Sequence, residues 1–283
     1  MLSGTKGGPK GQLDPSHAHA LDTVAKLIKD NGVDRNWSRG WNSSSNNDIV
    51  RIMFGLQHVG SSDAASRSLL SALTPCVSTI DVSKKPFTTA QIASICYCMS
   101  NMNNKHFEVE GLLRVFHGLF HAQKQLADKE SSEDASFYGL SPFSAQQLGM
   151  CFYGFQNMSI HTFTTAGNPN QQSVVASLLG QILLPAFDVS YVVRSAPPSA
   201  LLPLVSLAFT GLQNMTADVP EVRLFLRKLS LVVGSIDHPK VILNIDPIAR
   251  TLNGLQHLST GDSGPELLSF LKIMADKIES YYV

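Results

Sequence analysis

The sequence has little charge and no excess of either sign. Charged residues make up 16% of the 283 residues, and the 22 Lys and Arg residues balance the 22 Asp and Glu residues. A chain with zero formal charge has no overall field that would draw it onto nucleic acid or an anionic membrane, although local patches can still exist. Hydrophobic residues reach 43%, which is enough for a substantial core.

Long apolar runs are also absent. Stretches such as Ser230–Ile236 and Gly180–Phe187 are far shorter than the roughly 20 residues that a membrane-spanning helix needs. We therefore expect no membrane insertion. The opening MLSGTKGGPKGQ has neither the apolar segment of a secretory signal nor the spacing of a phosphate-binding loop. Residues 1–19 are expected to form a flexible tail, and no targeting peptide is evident.

Cysteine is scarce, with four residues and no zinc-type spacing: Cys76, Cys96, Cys98 and Cys151. Cys96 and Cys151 fall on apolar positions of the repeat described below, which is typical of buried thiols in a reducing, intracellular compartment. His117 and His121 are one helical turn apart, but two histidines leave a zinc site short of ligands. Position 118 is Gly where the zinc-protease motif has Glu.

Recognisable catalytic motifs are missing as well. The sequence contains no nucleophile elbow, no glycine-rich dinucleotide fingerprint and no carboxylate pair at a convincing spacing. We therefore predict a protein that is not an enzyme and that requires no metal or cofactor.

The sequence does contain an internal repeat. Five twelve-residue rows align, with starts separated by 43, 56, 57 and 43 residues. The rows are IVRIMFGLQHVG (49–60), IASICYCMSNMN (92–103), LGMCFYGFQNMS (148–159), VSLAFTGLQNMT (205–216) and IARTLNGLQHLS (248–259). Columns 1, 4, 5, 8 and 11 are almost entirely apolar, which is the spacing of one stripe on an α-helix. We call this predicted helix the A helix of each repeat.

Column 7 of the rows is occupied by glycine in four rows and by Cys98 in the second: Gly55, Gly154, Gly211 and Gly254. Glycine costs about 1 kcal/mol relative to alanine inside a helix. Its recurrence therefore predicts that a neighbouring helix approaches closely at this column.

A second apolar pattern follows each row and predicts a B helix. Val109, Leu112, Leu113 and Phe116 illustrate its spacing. Five such helix pairs, none able to bury both faces alone, predict an all-α protein folded as an α-solenoid. Its single domain would span residues 20–283, with repeats starting near 46, 89, 145, 202 and 245. A further helix carrying Leu21, Val24, Leu27 and Ile28 is expected to cap the N-terminal end.

The rows resemble the A-helix signature of octotricopeptide repeats, in which Leu-x-x-x-Leu-Trp-Ala-Leu-x-x-Leu-Gly recurs. In the third row the matching residues are Leu148, Phe152, Tyr153, Gly154, Phe155, Met158 and Ser159. The family repeat is shorter, its Pro-Pro-x-Trp element is absent here, and glycine replaces alanine. The resemblance covers most of residues 45–280. It implies a helical-repeat protein that binds RNA in an organelle, either a chloroplast or a mitochondrion.

Columns 3, 6 and 10 form a second stripe, which is the candidate binding surface if the A helices line a concave groove. From it we select Arg51, Phe54, His58, Tyr97, Asn101, Tyr153, Asn157, Asn214, Arg250, Asn253 and His257. Aromatic rings beside Asn, His and Arg could stack on the bases of single-stranded RNA and read their edges. In the alternative interpretation, the column 10 residues help to end the A helix and the aromatic rings pack between repeats.

Column 9 contains Gln57, Ser100, Gln156, Gln213 and Gln256, which favours a glutamine ladder that joins each helix end to the next loop. The sequence leaves two function classes open: an RNA-binding organellar factor and a scaffold that grips a protein or peptide partner. Zero net charge favours the scaffold, because RNA affinity depends largely on neutralising phosphates. The aromatic and Asn/His/Arg stripe, together with the family resemblance, favours RNA binding, which we take as the first of the two. A regulatory portion of a larger protein is a further alternative.

Overall fold

The computed structural model describes residues 14–31, 46–129, 140–160, 173–216, 218–237, 245–255, 258 and 264–280. These residues form twelve helices and no strand, so the all-α prediction is confirmed for this part of the chain. The helices are α1 (Pro15–Asn31), α2 (Asn46–Leu56), α3 (Ala64–Val77), α4 (Thr89–Cys98), α5 (Phe107–Lys129), α6 (Ala145–Gly154), α7 (Val174–Ala186), α8 (Val189–Ser195), α9 (Pro198–Leu212), α10 (Pro220–Gly234), α11 (Ile245–Gly254) and α12 (Gly264–Glu279).

Helix starts follow the side-chain chemistry of the sequence. Thr88 and Ser144 each form a capping box: the hydroxyl accepts a hydrogen bond from the backbone N–H of the glutamine three residues later, and the side-chain oxygen of that glutamine accepts one from the backbone N–H of the capping residue. Glu108, Glu221 and Glu266 lie in the first turns of α5, α10 and α12, where the helix dipole favours an acid. Helix α1 begins at Pro15, so residues 15–19 of the predicted tail are helical, and residues 1–13 lie outside the described residues.

Packing follows chain order in two sets of helices. The A helices are α2, α4, α6, α9 and α11, and each contacts the next one in that order. The B helices are α3, α5, α7, α10 and α12, which also contact one another in sequence. Helix α1 packs against α3, at the start of the B set. Helix α8, which the sequence pattern did not predict, packs between the two sets against α6 and α10.

Aromatic side chains join the A set to the B set. Phe152 of α6 meets Phe225 of α10 edge to face, with ring centroids 4.8 Å apart. Phe209 of α9 meets Phe270 of α12 with centroids 4.6 Å apart. All four rings are fully buried. Each pair therefore stabilises the contact between the two sets in two ways, through the apolar area that it removes from water and through the geometry of the ring contact.

Helix α7 is interrupted by a π-helical turn over Leu179–Leu183. The wider turn changes the hydrogen-bond pattern of the backbone, and the carbonyl of Gln181 accepts from Lys124 of α5 at 3.4 Å. Within the described residues no single helix has the length and hydropathy to cross a membrane. Helices α7 and α8 taken together have the necessary length and hydropathy, but they are bent by 61° at the break between them.

The four cysteines are buried and unpaired in α3, α4 and α6. Burial raises the pKa of the Cys98 thiol to about 12 and also raises the pKa values of Cys76 and Cys151. A thiol that stays protonated is a weak nucleophile and a weak metal ligand. These residues therefore act as small apolar side chains of the core.

Candidate functional site

The glycines of column 7 hold successive A helices in backbone contact. A methyl group placed on Gly154 would overlap the carbonyl group of Cys96 in the preceding A helix. Gly211 lies in the same way against the carbonyl of Phe152, and Gly254 against that of Phe209. The three contacts join column 7 of one helix to column 5 of the helix before it. The predicted close approach is therefore confirmed at these three glycines.

Amide side chains form a ladder beside these glycine contacts. Gln156 Nε2 and Asn157 Nδ2 both donate to the carbonyl oxygen of Ser100, at 3.1 and 2.7 Å. One repeat further on, Gln213 and Asn214 donate in the same way to the carbonyl oxygen of Gln156, at 3.0 and 2.6 Å. A glutamine ladder is thus confirmed for Gln156 and Gln213, but it runs to the turn of the preceding repeat and not to the next loop; Gln256 lies outside the described residues.

The ladder also extends towards the N-terminus. Asn101 Nδ2 donates to the carbonyl oxygen of Gln57 at 2.8 Å. In all three steps a column 10 asparagine satisfies a carbonyl of the preceding repeat. These carbonyls lie in the turns that follow the A helices, where the helix itself supplies no donor.

Column 10 does not lie on the A helix, so the single helical stripe is wrong at this column, and the alternative interpretation, in which these residues help to end the helix, agrees with the structure. The A helices end at column 7 or 8, and Asn101, Asn157 and Asn214 lie in the turns that follow. In the turns after α4, α6 and α9, the side-chain amides of these residues bond to carbonyls of the preceding repeat. Columns 3 and 6 therefore form the helical part of the candidate surface, and the asparagines form its edge.

The two candidate tyrosines lie side by side. Tyr97 of α4 and Tyr153 of α6 stack with ring centroids 5.5 Å apart and an interplanar angle of 29°. Both are half-buried, so one part of each ring packs between neighbouring repeats and another part faces solvent. The structure brings these two residues together with the asparagine edge in the middle of the A set.

The remaining candidates lie at the two ends of the A set. Arg51 is exposed and pairs with Asp48 of the same helix at 3.3 Å, and Phe54 and His58 are also exposed. At the other end, Arg250 and Asn253 are exposed on α11. His257 lies outside the described residues.

Charge is absent from the middle of this surface. The helices α4, α6 and α9 contain no Asp, Glu, Lys, Arg or His over the whole of their described lengths. Besides the two tyrosines, columns 3 and 6 of these three helices contain Ser94, Met150, Leu207 and Thr210, and all four side chains are partly exposed. This common property of three neighbouring helices was readable in the sequence, but row alignment on apolar columns overlooked it.

The histidine pair of α5 is held by glutamines. His117 Nε2 lies 3.0 Å from Gln181 Oε1, and His121 Nε2 lies 2.9 Å from Gln125 Nε2. The two rings stack with centroids 5.8 Å apart, and burial lowers the pKa of His117. Within the described residues, no group of three or more His, Cys, Asp or Glu side chains is placed to hold a metal ion.

Comparison of this chain with models of protein families, with curated proteins and with solved structures finds no match. Function must therefore be argued from the surface itself.

Proposed function

We propose that this chain is a non-enzymatic helical-repeat protein whose A helices bind an uncharged segment of a protein partner. The observation that carries the proposal is the run of three adjacent A helices, α4, α6 and α9, without a charged side chain. Tyrosine, methionine, leucine and hydroxyl side chains cover this surface, and such side chains suit apolar and polar contacts with a peptide.

The proposal includes an α-solenoid of five helix pairs with α1 as its N-terminal cap. Two features support this arrangement: the A helices contact one another in chain order, and so do the B helices. The same glycine contact recurs at Gly154, Gly211 and Gly254. A repeated contact of one kind gives neighbouring pairs one relative placement, which is the basis of a solenoid.

An RNA ligand is the less favoured of the two function classes. Proteins gain most of their affinity for a nucleic-acid backbone from Lys and Arg side chains that neutralise phosphates. Among the candidate residues only Arg51 and Arg250 carry such a charge, and they belong to the two terminal A helices, α2 and α11. Arg51 is paired with Asp48. The three helices between them offer no cationic side chain to a phosphate.

The asparagine edge supplies the polar part of the proposed site. Each of Asn101, Asn157 and Asn214 uses its Nδ2 group in the ladder, which fixes the orientation of its amide. A fixed amide presents its oxygen in one direction, at little cost in side-chain entropy when a ligand binds. The repeated amides therefore suit the backbone N–H groups of an extended peptide.

The test is a selection of binders from a random peptide library, followed by binding measurements on charged variants. Ser94→Glu and Thr210→Glu each place a carboxylate on the neutral surface. Both hydroxyls bond only to carbonyls of their own helices, so folding should tolerate the changes. We expect either variant to weaken an enriched peptide about tenfold or more, because the bound carboxylate would be desolvated without a partner.

Leu231→Glu is the matched control, since Leu231 is 62% exposed on the B helix α10. It should leave peptide binding unchanged. Binding of a single-stranded RNA oligonucleotide at low and high salt provides the competing measurement. Salt-sensitive RNA binding by the wild type that Ser94→Glu abolishes would replace the peptide proposal with the RNA alternative.

A further inference from the structure

The C-terminal A helix leaves open a face that the preceding A helices bury. On α11, Ile245 is 76% exposed, Leu252 is 53% exposed and Ala249 is exposed between them. The residues at the same repeat positions in α4, α6 and α9 are all buried: Thr89, Ala93 and Cys96; Ala145, Gly149 and Phe152; Leu202, Ser206 and Phe209. In each of those three helices, the following A helix covers this face.

The N-terminal A helix, α2, has an open face on the opposite side, where the other A helices contact the A helix before them. Gly55 occupies column 7 of α2, yet it is exposed and a methyl group placed on it would meet no described atom within 4 Å. Ile52 of the same helix is only half-buried, whereas its counterparts Ile95, Cys151 and Thr251 are buried. In the other glycine-bearing repeats, the backbone of the preceding A helix fills this position.

An apolar groove lies beside Gly55. Its volume is about 430 Å³, and its walls come from α1, α2 and α3, including Val24, Leu27, Ile52 and Leu69. Val24 and Leu27 are 45% and 54% exposed. Helix α1 packs against α3 and so extends the row of B helices by one position. The groove between α1 and α2 therefore lies where an A helix before α2 would pack.

We propose that this groove binds helix α11 of a second copy of the chain, so that copies associate head to tail. The glycine contact that joins α4 to α6, α6 to α9 and α9 to α11 would form a fourth time, between molecules. Gly55 of one copy would lie against the backbone at Leu252 of the next, and the stripe of Ile245, Ala249 and Leu252 would enter the groove.

The contacts between A helices inside one chain indicate that Arg51 of α2 can be accommodated at the proposed junction. Arg51 lies in column 3 of α2, and Arg250 occupies the same column of α11. Column 3 of one A helix lies over column 2 of the helix before it, as Leu207 lies over Gly149. In the same register Arg250 would lie over the buried Ser206 of α9, and Arg250 remains exposed. In the proposed junction the equivalent neighbour of Arg51 is Ala249, which is also small.

Such an interface is heterologous, because it uses a different surface on each copy. It therefore leaves a free groove at one end of every dimer and a free α11 at the other. A contact centred on one helix is small, so we expect weak association that depends on protein concentration. The proposal rests on the end faces and is independent of the peptide surface.

Two single variants and their mixture test this arrangement in sedimentation velocity runs over a wide dilution series. Gly55→Leu fills the groove, and Leu252→Asp places a charge on the inserted stripe. Both residues are exposed, and circular dichroism with thermal melting checks that each variant folds like the wild type. We expect the wild type to form dimers and longer species as concentration rises, and each variant alone to stay monomeric.

Mixing the two variants should restore a dimer and nothing larger, since only the intact groove of Leu252→Asp and the intact α11 of Gly55→Leu can join. The chain carrying both substitutions has neither an intact groove nor an intact α11, and it should remain monomeric at every concentration. A wild type that is monomeric throughout the series overturns the proposal. So does a variant that associates as strongly as the wild type, or a mixture that stays monomeric.

Discussion

At the scale of single residues, two glycines of column 7 look alike in the sequence but have different surroundings in the structure. Gly55 and Gly154 share column 7, the same helix type and a similar local string, FGLQ against YGFQ. Their surroundings differ completely, because Gly154 lies on the backbone of α4 and Gly55 faces an open groove. The cost of adding a side chain should therefore differ in sign between them.

Gly154→Ala should destabilise the protein by about 1–3 kcal/mol, because the new methyl group forces α4 and α6 apart. Gly55→Ala should be neutral or stabilise by up to about 1 kcal/mol, because alanine favours the helix and meets no neighbour. Urea unfolding of the two variants beside the wild type measures both free energies. Equal effects at the two positions would contradict the glycine contact.

At the scale of elements, the two short A helices α4 and α6 depend on local caps more than on length. Helices α4 and α6 have only ten residues each, which is marginal for a helix in isolation. Each begins with a capping box that satisfies free N–H groups at its first turn. The caps also fix where each helix starts relative to the glycine contact near its end.

Ser144→Ala should cost about 1 kcal/mol of unfolding free energy, because it removes the acceptor for the Gln147 N–H at the start of α6. Ser94→Ala is the matched control in α4, where the hydroxyl bonds back to the carbonyl of Ala90 and contributes little to a helix interior. Chemical denaturation reports both. If the control lost as much stability as Ser144→Ala, the cap would not be the cause.

At the scale of the whole molecule, pH acts on stability in part through the half-buried His117. Burial lowers the pKa of His117 below its ordinary value of 6.5. The folded protein then binds fewer protons at this site than the unfolded chain does. Stability from this group is complete above the unfolded pKa and is lost as pH falls through the folded pKa.

We therefore expect the wild-type melting temperature to fall as pH decreases from about 7 to about 5.5, and His117→Gln to reduce that slope. Melting curves at several pH values measure the difference between the two proteins. The contribution should persist at high salt, because desolvation is screened much less than exposed charge. Parallel curves for the two proteins would assign the pH dependence to other groups.

The sequence predicted the helical class, and it located the described A and B helices, because each has a full apolar stripe. It did not locate the end of each A helix at column 7 or 8, because the turn that follows carries no apolar period of its own. Asn157 and Asn214 could be named from the repeat, but their partners at Ser100 and Gln156 follow only from the packing. The π-helical turn in α7 likewise has no signal in the apolar pattern.

The cysteine positions have one more consequence. All four thiols belong to α3, α4 and α6, and each is buried. A thiol reagent in excess can modify them only when those helices separate, so the rate of modification counts opening events in that part of the chain. Helices α10 and α12 contain no cysteine, so the opening of these helices alone exposes no thiol and does not change the rate of modification. The rate of thiol modification therefore reports the opening of α3, α4 and α6, and it does not report the opening of α10 or α12.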